Sequence, residues 1–160
     1  MIAKRGFSLI ELTVVIGLLA LLMLAISSTM LMSIISSNRI KTVTKVKQAG
    51  NYAIGQIQIM LRNAKSIKTC DSTGATITII GTGGGETQIF ADSNSRIASG
   101  SGTYLTPENT TTSLFSLSCA PSDAEPAIVK VSFDLRDAIA PSGIQNPSLH
   151  FETSVNLRNK

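Results

Sequence analysis

The first third of the chain is dominated by one uncharged, strongly apolar run. No charged residue occurs at positions 12–38, and these 27 residues would extend about 40 Å as an α-helix. The hydrocarbon core of a bilayer is about 30 Å thick, so the run predicts a membrane-spanning helix. Further along, apolar positions recur at spacings of three or four, which is typical of one helical stripe. They are Ile40, Val43, Val46, Gly50, Ile54, Ile57, Leu61, Ala64 and Ile67.

From residue 75 onward the period changes from 3.6 to 2, which indicates β-strands. Short runs rich in β-branched and aromatic residues occupy positions 75–80, 87–91, 114–118, 128–135 and 151–157. Glycines at 81–85 predict a hairpin or loop, and residues 98–112 read as a long polar connection. The sequence therefore predicts an α+β fold. One helix, ending near residue 67, packs its amphipathic second half on a small antiparallel sheet of about four to six strands.

Charge is segregated along the chain, although the formal net charge is only +4. Seven cations with no acid among them lie between residues 39 and 68, whereas residues 71–137 carry a net charge of −5. The cations are Arg39, Lys41, Lys45, Lys47, Arg62, Lys65 and Lys68. Few aromatic residues accompany them, so nucleic-acid binding has little support. Two other interpretations stay open: anchoring to anionic lipid headgroups, or contact with an acidic protein surface.

A short basic leader precedes the apolar run, as in a secretory signal. The apolar stretch is long for such a signal, however, and only a weak small-x-small site occurs, at residues 25–27. A retained membrane helix is the better interpretation. Glu11 stands at its start, where an unpaired ionised carboxylate costs several kcal/mol. Either Glu11 sits at the headgroup interface and favours the helix N-terminus, or it has a partner.

The segment Lys-Arg-Gly-Phe-Ser-Leu-Ile-Glu-Leu at residues 4–12 resembles the class III leader of type IV pilins and of the pseudopilins of type II secretion and competence systems. The resemblance implies that a prepilin peptidase cuts between Gly6 and Phe7 and that Phe7 is then N-methylated. A glycine lets extended backbone enter a protease cleft without a clashing side chain. The carboxylate corresponding to Glu11 neutralises the terminal amine of a neighbouring subunit in that family.

Orientation follows from the same leader. Lys4 and Arg5 hold the leader in the cytoplasm by the positive-inside bias, although the four cations at residues 39–47 outnumber them. The more specific leader motif decides in favour of an inner-membrane helix with an extracytoplasmic head. The head later belongs to a periplasmic pseudopilus or a surface pilus.

The resemblance divides the chain into a cleaved leader at 1–6, a transmembrane and fibre-core helix at 7–38, an amphipathic stem helix at 39–68 and a β-rich head at 69–160. Segments 60–67, 102–106 and 153–159 resemble minor pilins and pseudopilins and favour a minor structural subunit. The implied partners are the peptidase, other pilin subunits, an assembly platform protein with its ATPase, and membrane lipid.

Two alternatives remain at this stage. A signal-anchored adaptor or adhesin that never polymerises would keep its leader uncut. A pilin-like DNA-uptake receptor would bind the nucleic-acid backbone through residues such as Lys41 and Lys65, with a steep dependence on salt.

Chemistry-bearing residues are few. Cys70 and Cys119 lie 49 positions apart; they are either two separate buried thiols or a disulfide worth about 4 kcal/mol by loop entropy. No Cys-x-x-Cys or histidine pair indicates a metal site. The single histidine, His150, points to a structural or surface role, and the 81–85 glycines lack the Gly-Lys-Ser/Thr ending of a phosphate loop. The sequence predicts no catalytic residue, no cofactor and no enzyme.

Overall fold

The computed structural model describes residues 8–71, 75–100, 102–120, 128–139 and 146–157. One long helix is followed by antiparallel strands, which confirms the predicted α+β, pilin-like architecture. The chain divides into two compact units, Met1–Ile40 and Lys41–Lys160. The elements are α1 (Leu9–Arg62), β1 (Ala64–Asp71), β2 (Thr76–Gly81), β3 (Glu86–Ala91), β4 (Ile97–Ser99), β5 (Thr110–Ala120), β6 (Ile128–Asp137) and β7 (Leu149–Asn156).

The predicted end of the helix is wrong. The helix was expected to reach residue 67 or 68, but α1 ends at Arg62 and β1 begins at Ala64. The apolar spacing of three at Ala64, Ile67 and Cys70 belongs to a strand whose pairing with β2 is irregular between residues 64 and 66 and between 67 and 69. Such bulges rotate a strand, so all three side chains pack against the core although a regular strand alternates faces.

Two antiparallel sheets replace the single predicted sheet. The first has the order β1-β2-β3-β4, and the second has the order β5-β6-β7. The glycine-rich loop between β2 and β3 is the predicted hairpin: Gly81 donates its N–H to the carbonyl oxygen of Gly85 at 2.8 Å. The stretch predicted as a polar connection, residues 98–112, overlaps β4 and the first residues of β5. Strand β4 was missed because three residues are too few for an alternating pattern to stand out.

The core of Lys41–Lys160 forms between the second part of α1 and the two sheets. Strand β6 buries alternate side chains, as its sequence pattern predicted. On the helix, Val46, Gly50, Ile57 and Leu61 of the predicted stripe are buried. The predicted stripe does not hold at its first position, because Ile40 is 62% exposed. The remaining buried helix positions are Thr42, Ala49 and Ala53.

One position brings the helix unusually close to a strand. A Cβ on Gly50 would lie less than 3.0 Å from atoms of the Phe151 ring on β7. A residue with a side chain therefore cannot take this place without a shift of helix or ring. Further along the helix, Gln58 Nε2 donates to Thr153 Oγ1 on the same strand at 2.6 Å.

Cys70 and Cys119 form a disulfide. The bond joins β1 of the first sheet to β5 of the second, and the two Cα atoms lie 6.5 Å apart. Of the two alternatives left open by the sequence, the structure shows the bonded one. The bridge ties together two sheets that no ladder pairing connects among the described residues.

Candidate assembly site

The start of α1 places a carboxylate in the first helical turn. The carbonyl oxygen of Ser8 accepts the backbone N–H groups of Glu11 at 3.0 Å and Leu12 at 3.2 Å. An acidic side chain in this turn interacts favourably with the unpaired N–H groups of the helix end. The Glu11 side chain is exposed, and among the described residues no cation lies within 4.0 Å of its carboxylate. Glu11 is therefore accessible to a charged group of another molecule.

The leader residues that the sequence singled out, Lys4, Arg5, Gly6 and Phe7, lie outside the described residues. Their roles in orientation, cleavage and methylation stay predictions.

The part of α1 that follows presents apolar side chains in every direction. All residues from 8 to 40 are exposed, with Leu9 at 80% as the extreme. An apolar surface of this extent is unfavourable in water and marks contact with lipid or with other protein. The helix is long and apolar enough to cross a membrane.

Four of the seven hydroxyl groups at residues 12–38 are satisfied by the helix itself. Each donates to a backbone carbonyl oxygen three or four residues earlier, at 2.8–2.9 Å. The donors are Thr13, Ser27, Ser28 and Thr29. Because a polar group without a hydrogen bond costs several kcal/mol in hydrocarbon, these internal bonds let the helix be surrounded by lipid or by apolar side chains.

Paired charges lie on the exposed face of the second sheet. Lys130 and Glu152 form an ion pair at 2.7 Å, and the Lys130 ammonium lowers the pKa of the Glu152 carboxyl. His150 Nδ1 lies 2.6 Å from Asp134 Oδ1, and this hydrogen bond raises the pKa of His150. The predicted surface position of His150 is thus where the structure places it. Within the described ranges no three metal-ligating side chains of His, Cys, Asp or Glu cluster.

These features are compatible with a single-pass membrane anchor at the N-terminus. Residues 1–27 match the family model described as the prokaryotic N-terminal methylation motif. This motif is the class III signal of type IV pilins and pseudopilins, and the match confirms the resemblance found in the leader. It supports a type IV pilin- or pseudopilin-like precursor and points to a structural protein rather than an enzyme. The comparisons found no curated protein and no solved structure similar to the chain.

Proposed function

We propose that the chain is a structural subunit, and a minor one, of a type IV pilus or of a type II secretion or competence pseudopilus. The observation that carries the proposal is the match of residues 1–27 to the N-terminal methylation motif, since the motif continues directly into a helix with no buried residue from position 8 to position 40. The role is structural, without catalysis or a cofactor.

Processing comes first. The leader, residues 1–6, stays on the cytoplasmic side through Lys4 and Arg5, while the head lies outside the inner membrane. A prepilin peptidase cuts between Gly6 and Phe7, where the glycine leaves room for the enzyme. The new terminal amine on Phe7 is methylated. The mature helix then serves as membrane anchor and later as fibre core.

Assembly uses the first turn of α1. In apolar surroundings the Glu11 carboxylate and a terminal ammonium each cost several kcal/mol when alone. Each subunit carries one Glu11 carboxylate and one terminal ammonium. Pairing the carboxylate of one subunit with the ammonium of its neighbour neutralises both charges at once. The exposed side chains of residues 9–40 then pack helix on helix. A platform protein and an assembly ATPase supply the docking surface and the energy, as the resemblance implies.

Intact-mass spectrometry of the full chain tests the processing. Co-expression with an active prepilin peptidase is expected to give a product that begins at Phe7 and carries one added methyl group. The variant Gly6→Val is the control, because its branched side chain should block cleavage. A wild-type chain that still begins at Met1, beside a known prepilin that the same peptidase cuts, contradicts the proposal and favours the anchored adaptor or adhesin.

Glu11→Val separates assembly from processing. We expect this variant to be cut like the wild type but to be absent from sheared filaments, since the neighbour's amine loses its partner. Thr13→Val, two residues further along the helix, keeps the charge and is expected to assemble. Normal incorporation of Glu11→Val would show that the pairing role is wrong. A DNA receptor would instead bind DNA in a salt-sensitive manner and lose binding in Lys65→Gln.

A further inference from the structure

Three exposed lysines follow the apolar run in chain order: Lys41, Lys45 and Lys47. No acidic residue occurs in the sequence between Glu11 and Asp71, so α1 itself offers no counter-charge near them. None of the ion pairs formed by the described residues includes these three ammonium groups. They form a cationic stretch of helix surface that the rest of the described chain leaves unneutralised.

Their directions around the helix axis are informative. At about 100° per residue, Lys41 and Lys45 lie about 40° apart, whereas Lys47 lies about 120–160° from them, on the other flank of the helix. The buried stripe through Val46 and Gly50 runs between the two sides. A protein partner would contact one side of the helix, but a layer of lipid headgroups contacts both. The distribution therefore favours a lipid surface over an acidic protein surface.

One of the three lysines shares a cavity with an acidic side chain. Lys45 lines a cavity of about 230 Å³ together with Pro107, Asn109 and Asp137. The buried Asp137 carboxylate accepts the N–H of Ile139 at 2.9 Å, and the Ile139 side chain is 74% exposed. Asp137 is thus engaged with backbone rather than with Lys45. Long cationic side chains without an ion-pair partner are the kind that reach the headgroups at a membrane interface.

We propose that Lys41, Lys45 and Lys47 form a docking surface for anionic phospholipid headgroups, which holds the extracytoplasmic head on the membrane until the subunit is extracted. This inference rests on the proposed function for its topology. Each lysine near an anionic surface is worth about fivefold in binding. The three together give a strong, salt-sensitive preference for phosphatidylglycerol over phosphatidylcholine.

Spin-labelled lipids in vesicles test the preference directly. The full chain is reconstituted in phosphatidylcholine, and the association of labelled phosphatidylglycerol is compared with that of labelled phosphatidylcholine by electron paramagnetic resonance. The wild type should favour the anionic lipid several-fold at low salt, and Lys41→Gln/Lys45→Gln/Lys47→Gln should lower the ratio several-fold, with Arg39 left to supply any remaining preference. The control Arg62→Gln/Lys65→Gln/Lys68→Gln removes the same number of positive charges from exposed positions, one of them the Lys68 ammonium that is paired with Glu86 at 2.6 Å, and should keep the wild-type ratio.

Two results would overturn the inference: a wild type without preference for phosphatidylglycerol, or an equal loss of preference in the control variant. The inference is also overturned if the lipid ratio stays at one and the three lysines instead support another interaction. Salt-sensitive DNA binding and self-association in neutral vesicles are the two such interactions to be measured. Cleavage is measured on the same samples. A triple variant that is cut at Gly6 but has lost the preference supports both proposals, whereas an uncut wild type defeats the proposed function irrespective of the lipid ratio.

Discussion

Gly50 lies on the buried face of α1 against the ring of Phe151, and replacing it with alanine tests the packing of helix on sheet. An added Cβ would lie less than 3.0 Å from three atoms of that ring. Non-bonded carbon atoms rest about 3.5–4.0 Å apart, so the ring or the helix must move by roughly an ångström. The ring has little freedom to do so, because it is stacked on Phe133 with ring centroids 5.5 Å apart.

Two opposing contributions decide whether Gly50→Ala raises or lowers the free energy of unfolding. Alanine in a helix interior is favoured over glycine by about 1 kcal/mol. Forcing an extra carbon into a well-packed core costs about 1–3 kcal/mol. We therefore expect Gly50→Ala to lower the free energy of unfolding by up to about 2 kcal/mol, since the overlap is with a fixed aromatic ring. Gly55 is the matched control: a Cβ added there would meet nothing within 4 Å beyond its own stretch of helix, so Gly55→Ala should gain about 1 kcal/mol.

The assay is urea unfolding of the full chain in a non-ionic detergent, followed by near-ultraviolet circular dichroism of the aromatic core. Combining Gly50→Ala with Phe151→Leu gives a double-mutant cycle. Gly50→Ala should destabilise the protein less when the ring is absent. A Gly50→Ala variant as stable as Gly55→Ala, or an equal cost with and without the ring, would refute the close approach of α1 to β7.

The same unfolding assay serves two more predictions. Replacing both cysteines, in Cys70→Ser/Cys119→Ser, should lower the free energy of unfolding by about 4 kcal/mol, the value for an intervening loop of this length. The variant should unfold like the reduced wild type, and an unchanged urea midpoint would contradict the disulfide. The hydrogen bond to Asp134 raises the pKa of His150. The pair therefore stabilises the fold fully below the ordinary histidine pKa of 6.5, and this stabilisation is lost as pH rises through the raised pKa. His150→Gln should remove this part of the pH dependence, and identical stability profiles for the two proteins would show that the pair is not coupled to folding.

Local patterns allowed most of the elements to be predicted. Strand β6 buries every second side chain, which makes its period of two visible in the sequence. Strand β1 was missed because its two irregular pairings place Ala64, Ile67 and Cys70 on the core side, and a spacing of three is also that of a helix. The division into two sheets depends on which strands pair, and no pattern within a single strand encodes its partner.

The leader motif was easier to predict than the fold that follows it. The leader and Glu11 form one continuous segment, so a single stretch of sequence carries the signal. The contact of Gly50 with Phe151 joins residues that are about a hundred positions apart, and nothing local announces it. The sequence marked Gly50 as one more position on an apolar stripe, although the absence of a side chain in the middle of such a stripe is itself a signal of close packing.

The nature of the apolar surface limits what can drive the proposed assembly. Lipid tails are as apolar as neighbouring helices, so moving residues 9–40 from bilayer to fibre gains little from the hydrophobic effect. Releasing three lysines from anionic headgroups would oppose the transfer by about 1 kcal/mol each. The favourable contributions must then come from helix packing and from the pairing of Glu11 with a neighbour's amine, which can form only after the leader is removed. The proposed cleavage at Gly6 would therefore do more than shorten the chain: it would create the charged group on which the proposed departure from the membrane depends.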